Sequence, residues 1–87
     1  MKQLGIKIAV VDNGFVYVGQ IIEDEHYFVV MGGFNVRKAG TTKGYGQFAF
    51  EGPQKESVLD PVPPVMIPKA RLCHFIDCNS VWEKHVK

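Results

Sequence analysis

The sequence predicts an all-β fold, a small five-stranded antiparallel barrel with a long ordered loop between strands three and four. Three observations predict it: an Asn-Gly pair between two β-branched apolar runs, a glycine pair that interrupts a third such run, and the lack of any long stretch with helical periodicity. The 87 residues are read as one domain, 1–87, with one core. Hydrophobic residues are 46% of the chain and charged ones 22%, the balance of a sequence that collapses rather than stays disordered.

The first strand is expected over Ile6 to Val11 and the second over Phe15 to Ile22. Between them Asp12-Asn13-Gly14 predicts a tight hairpin, because Asn and Gly both tolerate the positive φ of a type I′ turn. In the second strand Phe15, Tyr17, Gly19 and Ile21 share one face and Val16, Val18, Gln20 and Ile22 the other. Both faces are apolar enough for a tight barrel. The acidic turn Glu23-Asp24-Glu25 leads into a third strand, His26 to Met31, which resumes as Phe34 to Arg37 after Gly32-Gly33, a pair that marks a bulge or bend.

From Ala39 to Pro64 glycines and prolines dominate, and this is read as one long loop. Its Tyr45, Phe48, Phe50, Val58 and Leu59 imply that it packs on the domain, with a short helical turn at Gln47 to Phe50. Val65 to Ile67 and Leu72 to Cys78 complete the strands, joined by a tight or 3₁₀ turn at Pro68 to Arg71. Asn79 or Ser80 can cap the tail 79–87, which is too short to be a stable helix alone.

A net charge of +1 excludes a strong overall field for polyanions, so any nucleic-acid binding must be local. No apolar run approaches the roughly 20 residues of a membrane span, and Met1 to Gly5 lacks the apolar stretch of a signal peptide. The expected address is cytoplasmic. A domain this small buries little core, which favours a homo-oligomer. Cys73 and Cys78 lie five residues apart on one strand, about 16 Å and on opposite faces, so both are expected as free thiols.

The segment Asn35 to Gly46 carries Arg37, Lys38 and Lys43, the hydroxyls of Thr41 and Thr42, three glycines and no acid. Such a loop can offer cations and backbone N–H groups to a phosphate, with Tyr45 to stack on a base, although its spacing is not that of a P-loop. The alternative is a solvated loop with turn glycines. His26, His74 and His85 show no metal-ligand spacing, and His74 with Cys78 would lie about 13 Å apart, too far for a nucleophile and its base. The acids Glu23, Asp24, Glu25, Asp60 and Asp77 suit a solvated surface better than catalysis, and no serine sits in a nucleophile elbow. The sequence implies no enzyme, metal or cofactor.

Two stretches resemble the Sm-like small-barrel family that includes the bacterial host-factor RNA chaperone. Gly19 to Val30 is similar to its first motif, a glycine-led strand, an acidic turn and an apolar strand, and Val65 to Ile76 is similar to its second. The first lacks the family's asparagine beside the aromatic, and the second its glycine or Lys-His pair. The resemblance implies a ring formed through the last two strands, and RNA contacts by His26 and Tyr27 and by Lys69 and Arg71. The segment from Gly40 through Gly52-Pro53 to Pro61 is also similar to small uncharacterised phage and prophage proteins, which implies no activity. The expectation is therefore a non-catalytic binding module for a nucleotide or short RNA. Its rival is a structural or protein-interaction subunit, with phage accessory proteins among the candidates.

Overall fold

The computed structural model describes residues 1–86. Three long strands, β1 (Lys2–Val11), β2 (Val16–Glu23) and β3 (Tyr27–Lys38), form the expected antiparallel meander. The β1–β2 turn differs from the expected type. Gly14 N donates to Val11 O at 2.9 Å and Val11 N to Phe15 O at 2.9 Å, while Gly14 has φ 90° and, among the described residues, no non-glycine one has positive φ. Asn13 is thus not left-handed. The connection is a three-residue bulged loop closed by one left-handed glycine, in place of a two-residue type I′ turn.

At Gly33 the strand bends without ending. The β2–β3 register shifts between Val18 and Gln20, opposite Met31 and Phe34. A Cβ at Gly33 would lie 2.1 Å from Val18 O, and one at Gly19 would lie 2.8 Å from Val30 Cγ1, so only glycine permits this approach. The shift also breaks the simple alternation expected along β2: Val16, Val18 and Ile21 are all buried. On either side of the bend β3 has a different partner along its outer edge. Its first half pairs with β5 (Val65–Pro68) and its second with β4 (Val58–Pro61).

A 3₁₀ turn at Lys69–Arg71, as expected, leads into β6 (Leu72–Asp77), which returns to β1. The sheet therefore has six strands in the order β4-β3-β2-β1-β6, with β5 on β3, and it is not closed. The extra strand, β4, comes from within the expected loop. So does α1 (Tyr45–Glu51), longer than the single turn foreseen at Gln47 to Phe50.

Two clusters make up the core. One gathers Ile8, Val16, Val18, Val36, Phe48, Ala49, Trp82 and Val86; the other gathers Ala9, Val11, Ile21, Val30 and Ile67. The tail is held by tertiary packing rather than by helix propensity: Asn79 caps a 3₁₀ segment at Ser80–Lys84, and Trp82 within it is fully buried. The Trp82 ring lies 5.0 Å from that of Phe48, and its Nε1 donates to Phe48 O at 2.9 Å. Phe50, expected to pack, is instead 68% exposed, and Tyr45 stands at the surface with its ring edge-on to Phe48.

Candidate functional site

The basic segment begins where β3 leaves the sheet. Arg37 and Lys38 are both exposed, but only one of them is unpaired. Arg37 makes a two-pronged contact with Asp60 of β4, Nε to Oδ2 at 2.9 Å and Nη2 to Oδ1 at 2.6 Å. Through these hydrogen bonds and its charge, the guanidinium holds the Asp60 carboxyl below its ordinary range, and the Arg37 pKa rises in return. Lys38 and Lys43 have no ion-pair partner among the described residues.

The loop that follows is anchored at its base. Gly40, with φ 67°, passes so close to Glu56 and Ser57 that a Cβ would lie 2.4 Å from the Glu56 carbonyl carbon, and Ser57 Oγ donates to Ala39 O. Beyond this clamp the donors turn toward one acceptor. Gln47 Oε1 receives Lys43 N at 2.8 Å, Thr42 N at 3.1 Å and Thr42 Oγ1 at 3.3 Å, while Gln47 Nε2 donates to Glu51 at 3.2 Å. Thr41 Oγ1 is turned away and donates to Gly44 O at 2.9 Å. The expected set thus divides: Thr42 and Lys43 converge, Lys38, Thr41 and Tyr45 flank them, and Arg37 is engaged elsewhere. In the sequence Gln47 is read only as the start of a helical turn and Asp60 only as a solvated acid, so neither role is anticipated. A glutamine four residues after Lys43 was the available signal for the first; the second depends on β4.

The second candidate set lies at the other end of β3. His26 O accepts Lys69 N at 3.1 Å and Tyr27 pairs with Pro68, so His26, Tyr27 and Lys69 meet at one corner. Lys69 Nζ contacts Glu23 at 2.8 Å and lies 5.4 Å from the centre of the Phe28 ring. This contact lowers the Glu23 pKa, by hydrogen bonding first and charge second. Arg71 departs from the corner and reaches Asp12 at 3.1 Å. There it borders a groove of about 430 Å³ lined also by Asn13, Tyr17, Met66 and Pro68. Phe15, 54% exposed, stands 6.3 Å from the Tyr17 ring, and Met66 is 57% exposed. This groove, of mixed polar and apolar lining, was not foreseen, because its walls come from β1, β2 and β5.

Cys73 is exposed and Cys78 half-buried, and both are free. Burial, and then the adjacent Asp77 carboxylate, push the Cys78 thiol up to about 12. Among the described residues no cluster of three or more His, Cys, Asp or Glu side chains is placed to hold a metal, and no helix is long and apolar enough to cross a membrane. Fold and site together define a small, open-sheeted antiparallel β domain with a donor-rich loop at one end. Comparisons with protein-family models, with curated proteins and with solved structures each return no match.

Proposed function

We propose that the protein is a non-catalytic binding module that holds a phosphate-bearing ligand, a nucleotide or short RNA, on the loop from Lys38 to Tyr45. The observation that carries this reading is the convergence of two backbone N–H groups and one hydroxyl, at 2.8–3.3 Å, on the single oxygen of Gln47. A phosphate oxygen can take the place of that amide oxygen, and as a charged acceptor it makes the stronger hydrogen bonds. Lys38 and Lys43 supply the charge and Tyr45 the stacking surface. Arg37 belongs to the strand pair with Asp60 and sets the loop's starting point.

The module is proposed to act in the cytoplasm as a homo-oligomer. The support is that, among the described residues, β5 pairs only with β3 and β6 only with β1, which leaves each an outer edge. The strand order, with a 3₁₀ corner before a last strand that returns to the first, supports a likeness to the Sm-like barrels. Light scattering checks the assembly.

The binding test is a titration of a labelled short RNA and of a nucleoside triphosphate. Replacing Lys38 and Lys43 together with Ala should weaken binding by about tenfold or more, since hydrogen bonds to charged groups contribute ~1.5–3 kcal/mol each. Gln47→Ala, which removes the internal competitor, should strengthen it. Equal affinity in the parent and the double variant refutes the reading. A second reading, a structural or protein-interaction subunit such as a phage accessory protein, is favoured by the exposed Phe15 and Met66 beside the groove. It gains if no phosphate-bearing ligand binds.

A further inference from the structure

The β1–β2 turn joins an asparagine to a glycine at an exposed position, and glycine offers the least hindered backbone nitrogen of any residue. At Gly14 nothing lies within 4 Å of where a Cβ would be. We propose that Asn13 is a site of spontaneous deamidation in the folded protein, gated by opening of this turn.

The chemistry needs only water. Gly14 N, having lost its proton to solvent, attacks Asn13 Cγ, so that a C–N bond forms. The Cγ–Nδ2 bond breaks and the amide nitrogen leaves as ammonia. Water then opens the cyclic imide at either carbonyl, yielding an aspartyl or an isoaspartyl residue. In the closed turn Gly14 N–H is donated to Val11 O at 2.9 Å, and Asn13 Oδ1 accepts from Phe15 N at 3.0 Å. Both partners of the reaction are therefore restrained until the turn opens.

The other two asparagines lack this combination. Asn35 precedes the β-branched Val36 within β3 and donates its amide to Val16 O at 3.3 Å. Asn79 precedes Ser80, whose N–H is held by the Asn79 side chain itself at 2.6 Å.

The product changes the groove. Asn13 shares its wall with Asp12 and Arg71, which are paired at 3.1 Å, so the new carboxylate enters beside an ion pair that is already neutral. The isoaspartyl form also adds a backbone carbon to the three-residue loop that sets the β1–β2 register.

The test is incubation of the full chain, folded and in guanidinium, at mildly alkaline pH, followed by intact mass and fragment-ion sequencing. The folded protein should gain the amide-to-acid mass difference at residue 13, with both isomers present and Asn35 and Asn79 intact. It should do so about two- to tenfold more slowly than the unfolded chain, the factor that one net hydrogen bond supports. Asn13→Gln should remove the gain. No conversion at residue 13 in the folded chain by the time the unfolded chain has half converted overturns the site. Equal rates in the two states overturn the gating.

Discussion

The two core clusters are built from different kinds of chain. That of Ala9, Val11, Ile21, Val30 and Ile67 draws only on strands, with small and β-branched side chains that suit a pleated surface. That of Ile8, Val16, Val18 and Val36 is completed from outside the sheet, by Phe48 and Ala49 of α1 and by Trp82 and Val86 of the tail. Its largest members come from segments that could not hold their own shape in isolation. A short helix and a 3₁₀ tail are ordered here because each supplies a bulky ring to a void the strands leave open.

This contrast can be broken at several points. Trp82→Ala removes the largest buried side chain and one of the two hydrogen bonds to Phe48 O, leaving that from Gly52 N, and should cost about 3–5 kcal/mol, measured by urea unfolding. That is much of the stability of a small domain. Gly33→Ala tests the bend, and a methyl group driven against Val18 O should cost about 1–3 kcal/mol in the same assay. In the strand-built cluster, Ile67→Val should cost only about 0.5–1.5 kcal/mol. If Trp82→Ala costs no more than Ile67→Val, the tail is not the keystone of its cluster.

A smaller effect separates the thiols. In the native protein a thiol reagent should label exposed Cys73 quickly and Cys78 slowly, whereas the unfolded chain should label both alike. Because the folded state raises the Cys78 pKa, native protein holds that proton where the unfolded chain has lost it. Stability should therefore fall as pH climbs from about 9 toward 12, seen as a declining urea midpoint. The lowered pKa values of Glu23 and Asp60 work the other way. Their contribution is present above the unfolded carboxylate range and is lost on acidification, and exposure keeps it small.

What could be read from the sequence followed the range of each signal. The meander was legible because its turns are local: Asn13-Gly14 and Glu23 to Glu25 lie between strong apolar runs, and Gly32-Gly33 announced the bend. The 3₁₀ corner at Lys69–Arg71 was legible for the same reason. Strand β4 was not, since Val58–Pro61 is four residues long, ends in proline, and is defined by pairing with residues twenty or more positions earlier. With β4 hidden, Asp60 could not be recognised as the partner of Arg37, and the basic segment looked more highly charged than it is. Thr42 and Lys43 were named as candidates from their types alone, but the glutamine that gathers their donors was passed over as part of a helical turn.

The pairing of β6 with β1 sets Lys7 opposite Asp77, and their side chains form an ion pair. Seventy residues separate these neighbours, and closing so long a loop must precede the contacts that reward it. Until β6 and the tail behind it have been synthesised, β1 has one edge bare and the pocket for Trp82 stands empty, so a partly made chain exposes both a strand edge and part of its core.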